Sequence, residues 1–109
     1  MSIEAVRISK FFDRPFTYAK GDTFRLGLTF SYDVTNVTFE LKIFPAGSDT
    51  PALTFGNSDW VLSGTRKKVL TKTPAAMTIS PGKYRMVITH TFADGTVRKR
   101  FDSILTVQE

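Results

Sequence analysis

The sequence predicts an antiparallel β-sandwich of seven to eight strands, with at most one short helical turn. The first observation behind this prediction is that apolar and polar residues alternate along several short stretches, as they do in strands that bury one face. The second is that turn-forming residues separate these stretches at short intervals. The third is the presence of ten phenylalanines, whose large side chains can fill the thin core between two sheets.

The clearest strand in the amino-terminal half runs from Phe24 to Phe30, where every second residue is apolar. A second alternating stretch runs from Val37 to Ile43, after a short turn at positions 33–36. Two alternating stretches joined by a short turn are typical of a β-hairpin. We therefore expect these two strands to pair with each other.

The carboxy-terminal third of the chain predicts a long hairpin with Asp94 and Gly95 at the centre of a two-residue type I′ turn. Such a turn fixes which residues face each other across the two strands. The core-facing pairs are then Tyr84 with Leu105, Met86 with Ser103, Ile88 with Phe101, and Phe92 with Val97. The opposite, mostly solvated face pairs Arg85 with Ile104, Val87 with Asp102, Thr89 with Arg100, and Thr91 with Arg98.

The remaining strands are expected from Ile3 to Phe12 and in brief apolar runs at 53–55, 60–62 and 67–71. Pro74 after Thr73 predicts the single helical turn, because proline suits the first helical position. The apolar residues in phase with the strands form the predicted core, which consists of Phe24, Leu26, Leu28, Phe30, Val37, Phe39, Leu41, Ile43, Tyr84, Met86, Ile88, Phe101, Leu105 and Val107.

The length of 109 residues predicts one domain spanning residues 1–109. The chain has no cysteine, which excludes disulfides and thiolate metal sites and suits a reducing cytosol. The amino terminus lacks the apolar core of a signal peptide, and no stretch approaches the roughly 18 apolar residues of a membrane span. We expect a soluble protein without a membrane partner.

The formal net charge of +5 raises the possibility of an anionic partner. The candidate basic surface consists of Lys83, Arg85, Arg98 and Arg100 on neighbouring strands of the predicted hairpin. A nucleic-acid-binding surface would also need exposed aromatic residues between the basic ones, and most aromatics here are in phase with the core. Solvated strand faces explain the charge more simply, and a nucleic-acid-binding role remains the alternative.

The polar residues do not form a recognisable catalytic or metal-binding pattern. The only histidine, His90, is predicted to face Lys99 at the rim of the core, with no nucleophile and orienting acid in reach. The aspartates fall separately in predicted turns, where they are favoured for local hydrogen bonds. We therefore expect no catalytic residues, no metal, no cofactor and no small-molecule substrate, and we predict that the protein is not an enzyme.

Protein–protein contacts are the remaining class of function, and exposed apolar residues would mark them. The candidate interface residues are Phe11, Phe12, Phe44 and Trp60. Core burial is the competing interpretation for each of them, above all for Trp60.

Three groups of residues occur in a suggestive order and spacing. They are Lys20 to Phe24 leading into Leu26 and Leu28; Val37-Thr38-Phe39 in a strand that ends near Gly47; and the series Leu70-Thr71, Pro74 to Met77, Pro81 to Tyr84, Asp94 to Val97, and Ile104 to Val107. In this order the sequence resembles the small immunoglobulin-like domain of tailed-phage and prophage virion proteins, including the amino-terminal domain of phage baseplate upper proteins.

The resemblance implies an immunoglobulin-like β-sandwich without catalytic residues. It also implies a structural or assembly module of a phage or prophage particle, in the tail, baseplate or attachment structure. Its partners would be other virion proteins or further copies of itself. The protein would be made in the bacterial cytoplasm and incorporated into the virion. The alternative function is a small basic nucleic-acid-binding or host-directed adaptor domain.

Overall fold

The computed structural model describes residues 2–7, 16–30 and 32–109, with side chains for 16–30, 32–99 and 103–109. Nine strands lie in the described ranges: β1 (Ser2–Arg7), β2 (Phe16–Ala19), β3 (Phe24–Thr29), β4 (Thr38–Pro45), β5 (Leu53–Phe55), β6 (Trp60–Leu62), β7 (Lys67–Lys72), β8 (Gly82–Thr91) and β9 (Val97–Gln108). Two single 3₁₀ turns, Asn57–Asp59 and Pro74–Ala76, precede β6 and β8. The described residues contain no helix of the length and hydrophobicity needed to span a membrane.

The strands form two sheets, one of four strands in the order β1-β3-β7-β6 and one of five in the order β2-β9-β8-β4-β5. Most neighbours are antiparallel, but β1 runs parallel to β3 and β2 runs parallel to β9. This arrangement has the strand order of an immunoglobulin-like sandwich. In one sheet β1, β3, β7 and β6 correspond to its strands A, B, E and D, and in the other β4, β8 and β9 correspond to its strands C, F and G. The predicted fold class is therefore confirmed.

The structure adds two elements to those predicted from the sequence. The first is strand β2, which was not predicted from the sequence because only Phe16 and Tyr18 alternate before the turn begins at Lys20. The second addition is the 3₁₀ turn Asn57–Asp59, which supplements the predicted turn at Pro74. The predicted strand Ile3 to Phe12 is described only as far as Arg7.

The expected hairpin between β3 and β4 is wrong, because the two strands belong to different sheets. The connecting segment is held to the start of β7 instead: Phe30 N–H donates to the Arg66 carbonyl (2.8 Å) and Val34 N–H donates to the Thr65 carbonyl (2.7 Å). Val34 and Val37 are buried. Burying these two valines in the core draws the chain across from one sheet to the other.

The long carboxy-terminal hairpin forms between β8 and β9, but its turn differs from the predicted one. Phe92 N–H donates to the Thr96 carbonyl (2.8 Å), and Gly95 N–H donates to the Phe92 carbonyl (2.9 Å). The loop therefore has three residues, with Gly95 at φ +91° and no non-glycine residue at positive φ in the described ranges. A type I′ turn would also have required a positive φ at Asp94, a conformation that is costly for residues other than glycine.

The longer loop changes the register of half the hairpin. Tyr84 with Leu105, Met86 with Ser103, and Ile88 with Phe101 pair as predicted, but beyond Ile88 the pairs are Thr89 with Lys99, His90 with Arg98, and Thr91 with Val97. Arg100 is the extra residue between these two registers, which is the pattern of a β-bulge. Arg98 consequently lies on the inner side of the sheet with His90, and not on the outer face as predicted.

The core lies between the two sheets. Every residue of the predicted core set whose side chain is described is buried, and Phe101 lies outside those side chains. The prediction that Phe92 and Val97 pair on the core-facing side is wrong, because Phe92 is half-buried and Val97 pairs with Thr91 and is 59% exposed. Additional buried apolar residues, which the alternation did not assign to the core, are Phe16, Tyr18, Val34, Phe55, Trp60, Leu70, Met77 and Ile79.

Tyr84 makes a contact that is characteristic of this class of sandwich. It lies near the start of β8, and its hydroxyl donates to the Ser80 carbonyl (2.6 Å), four residues upstream. Immunoglobulin-like domains have such a tyrosine corner at the corresponding strand, two residues before the second cysteine of their disulfide. In this chain the position of that second cysteine holds Met86, which is fully buried. Apolar packing therefore takes the place of a covalent link between the sheets.

Candidate functional site

The four predicted interface residues have different environments. Phe11 and Phe12 lie outside the described residues. Trp60 is 5% exposed, and its ring lies 5.5 Å from that of Phe39, so it belongs to the core and is removed as an interface residue. Phe44 is half-buried on the outer face of the five-stranded sheet.

Phe44 belongs to a row of three side chains across the outer face of that sheet. Phe44 on β4 pairs with Arg85 on β8, and Arg85 pairs with Ile104 on β9. The Arg85 guanidinium lies 5.0 Å from the centre of the Phe44 ring, and Ile104 is 55% exposed. We call Phe44, Arg85 and Ile104 the outer row. It presents an aromatic ring, a stacked guanidinium and an aliphatic side chain side by side.

The predicted basic surface is not continuous. Lys83 and Arg85 are exposed on the outer face of β8, but Arg98 is exposed on the inner side, at the end of the sandwich. The side chain of Arg100 lies outside the described side chains. Lys83 and Arg85 therefore do not form one track with Arg98 across the described surface, and a nucleic-acid strand would need such a track.

A pocket lies beside the β8–β9 turn. It has a volume of about 290 Å³ and is lined by Tyr32, Phe92, Asp94, Thr96 and Arg98. We call it the hairpin pocket. Tyr32 comes from the connection between β3 and β4, so the pocket is formed where two loops meet at one end of the sandwich.

The polar groups of the hairpin pocket are of two kinds. The Asp94 carboxylate accepts a hydrogen bond from Thr96 N–H (2.8 Å), and hydrogen bonds from Thr96 hold the pKa of that carboxyl below its usual value. Arg98 lies over the Phe92 ring at 5.7 Å, with no carboxylate at ion-pair distance among the described side chains. The Tyr32 hydroxyl oxygen is buried and has no hydrogen-bond partner in the described part of the chain.

The sequence contained a signal for this pocket. Tyr32 and Val34 continue the two-residue alternation of Phe24 to Phe30, and Phe92 continues that of β8. The predicted strand ends at Phe30 and the predicted turn begins at position 33, so neither element includes Tyr32, which the structure places facing inward. The one-residue shift that brings Arg98 to the pocket depends on the loop length, and Asp-Gly occurs in both kinds of turn.

His90 is at the centre of an aromatic cluster and not at the predicted rim. It has no exposed surface, and its ring centre lies 4.4 Å from that of Phe39 and 5.3 Å from that of Phe30. Its partner across the strand is Arg98, not Lys99. These neighbours give His90 the surroundings of a core residue.

Lys68 also lies in the interior of the protein. It is 6% exposed, and its ammonium lies 5.4 Å from the centre of the Phe39 ring. Burial lowers the pKa of this ammonium group below its ordinary value. The described residues contain no group of three histidine, aspartate or glutamate side chains that could hold a metal ion.

No protein-family model matches the sequence, and no curated protein matches it. Among solved structures, the chain is similar to the V domain of amphioxus IgVJ-C2, with 13% identity, a TM-score of 0.33, and coverage of 85% of this chain and 99% of that one. The assignment of the chain to the immunoglobulin-like class therefore rests on its own strand order and tyrosine corner.

Proposed function

We propose that this domain is a non-enzymatic assembly module that acts through protein–protein contacts in a phage or prophage particle, in the tail, baseplate or attachment structure. The observation that carries the proposal of protein contacts is the outer row. The particle is proposed from the order of sequence motifs shared with the immunoglobulin-like domains of virion proteins.

The composition of the outer row suits the centre of a protein interface. Aromatic residues and arginine are enriched in interfaces and dominate their binding energy. Ile104, at 55% exposure, adds apolar surface that a partner would remove from water. The half-buried Val87 lies on the same face of β8, two residues from Arg85, and extends the apolar area towards the middle of the sheet.

The proposed partner on the outer row is a different protein of the particle and not a second copy of this chain. In a two-fold dimer centred on this row, the Arg85 guanidinium groups of the two copies would face each other, and like charges in a desolvated interface are unfavourable. The net charge of +5 adds to that repulsion. A partner with an apolar patch bordered by acidic residues would instead be complementary.

Attachment through the sheet face is better supported than addition of a strand at two of the four described edge strands, β5 and β6. Each of these two strands has three residues, so each offers few backbone groups to a further strand. A sheet face, in contrast, offers side chains from three adjacent strands at once.

The test is genetic. Ile104→Asp in the phage or prophage that encodes the chain should lower the number of complete particles seen by electron microscopy and the infectious titre. Val61→Asp is the matched control, because Val61 is 65% exposed on β6 of the other sheet. If deletion of the gene leaves particles of normal morphology and normal infectivity, the proposal is overturned.

A further inference from the structure

We propose that the hairpin pocket binds the carboxylate of an acidic side chain of a protein partner, with an apolar group of that partner resting against Tyr32 and Phe92. The inference rests on the proposed function, since a protein partner supplies the carboxylate, and it names the chemistry by which that partner is recognised at a second surface.

Arg98 provides the positive charge for this ligand. Its Cζ lies 5.7 Å from the centre of the Phe92 ring, and the residue is exposed, so a ligand in the pocket can reach its N–H donors. No carboxylate lies at ion-pair distance from it among the described side chains. Arginine binds carboxylates through paired N–H donors, so an acidic side chain is the ligand that fits.

Tyr32 provides the second, independent observation. Its hydroxyl oxygen is buried and has no hydrogen-bond partner in the described ranges, and leaving such a group unsatisfied costs stability. A tyrosine hydroxyl can donate to a carboxylate. The hydroxyl oxygen has almost no accessible surface in the free protein, so the Tyr32 side chain has to turn towards the pocket before it can donate to a carboxylate beside Arg98 and recover that cost.

The walls of the pocket select the rest of the ligand. The Tyr32 and Phe92 ring centres are 6.2 Å apart with an angle of 35° between the rings, so they form a continuous apolar surface. Asp94 also lines the pocket, close enough to Arg98 for the two charges to attract each other, and its negative charge opposes an anionic ligand. The pocket is therefore expected to bind weakly until Asp94 is neutralised or the ligand carboxylate lies next to Arg98.

The probe is phenylpropionate, which joins a carboxylate to an apolar ring, and its neutral counterpart phenylpropionamide is the control ligand. We expect phenylpropionate to shift the backbone amide signals of Gly95 and Thr96 in a saturable way, with a Kd on the order of 1–10 mM. Phenylpropionamide should bind at least about tenfold more weakly. Equal binding of the two compounds, or no saturable shift with phenylpropionate, would overturn the proposal.

Three variants assign the roles of the side chains. Arg98→Gln should weaken phenylpropionate binding about tenfold or more, whereas Arg25→Gln, an exposed arginine on the other sheet, should leave it unchanged. Asp94→Asn should tighten binding, and weaker binding would mean that the pocket prefers a cation. Tyr32→Phe should weaken binding while raising the stability of the free protein. A rise in stability without a change in binding would exclude the Tyr32 hydroxyl from the site.

Inorganic phosphate and a single-stranded oligonucleotide distinguish the other possible ligands. If either one displaces phenylpropionate at lower concentration than a glutamate-containing peptide does, the pocket is a phosphate site and the proposal is wrong. The outcome is independent of the outer row. Loss of assembly in Ile104→Asp without any binding of phenylpropionate would leave the proposed function in place and remove only the pocket.

Discussion

Lys68 carries a charge into an apolar part of the molecule. On β7 it precedes the buried Leu70 by two residues, and it pairs with Leu28 and Leu62 on the neighbouring strands. Burial removes water from its ammonium group and lowers the pKa of that group. The charged form is therefore less favourable in the folded protein than in the unfolded chain.

Replacing Lys68 by methionine should stabilise the protein. Lys68→Met keeps the aliphatic stem and removes the buried charge, so we expect the free energy of unfolding at neutral pH to rise by roughly 1–3 kcal/mol, measured by urea denaturation. Lys67→Met is the matched control, because the neighbouring Lys67 side chain is half-buried on the opposite face of β7. A loss of stability in Lys68→Met would mean that the ammonium has a partner that offsets its burial.

The advantage of Lys68→Met should also depend on pH. Because the folded pKa lies below the ordinary lysine value of about 10.4, the unfolded chain binds more protons between these two values. The stability contributed by this group therefore rises with pH through that window. The difference in unfolding free energy between Lys68→Met and the unsubstituted protein should therefore shrink. Tyr18, whose pKa is raised by burial, acts in the opposite direction but equally in both proteins.

At the scale of the element, the β8–β9 hairpin combines a three-residue loop with a bulge. Gly95 has φ +91°, and a methyl group added there would meet no heavy atom within 4 Å. Gly95→Ala should therefore cost about 1–2 kcal/mol from backbone strain alone. Gly56→Ala is the control, since Gly56 has φ −81° and equally open surroundings, and it should be neutral or slightly stabilising. Equal losses in the two variants in thermal denaturation would contradict the loop geometry.

The same hairpin shows what alternation in the sequence can and cannot predict. Tyr84, Met86 and Ile88 pair as predicted because burial of one face fixes the phase of a strand. Beyond Ile88, loop length sets the register, and an extra residue at a bulge restores the phase without leaving a mark in the apolar pattern. The shift places Arg98 opposite His90 and in the lining of the hairpin pocket.

The alternation of apolar and polar residues also could not predict which sheet each strand joins. The stretches at Phe24 and Val37 each predicted a strand with one buried face, and both strands formed. Whether two such strands pair or pack face to face depends on the connection, and Val34 within it is fully buried. Local pattern therefore identified eight of the nine described strands and most of the core, while the contacts between loops and sheets determined where the candidate site lies.

At the scale of the whole molecule, the question is whether the net charge of +5 makes the protein a nucleic-acid binder. Lys83 and Arg85 lie on the outer face of the five-stranded sheet and Arg98 lies on its inner side, so one strand of nucleic acid cannot contact all three in a single track. Affinity for nucleic acid depends on the number of phosphates contacted together and falls linearly with salt on logarithmic axes.

We expect fluorescence anisotropy with a labelled single-stranded oligonucleotide to detect weak binding at low salt and none at about 150 mM salt. Lys83→Gln with Arg85→Gln should lower the residual low-salt binding no more than two substitutions among Arg66, Lys67 and Lys99 do, because only total charge matters. Micromolar binding at physiological salt that the first pair alone abolishes would establish the outer face as a nucleic-acid site and would replace the assembly role proposed for it.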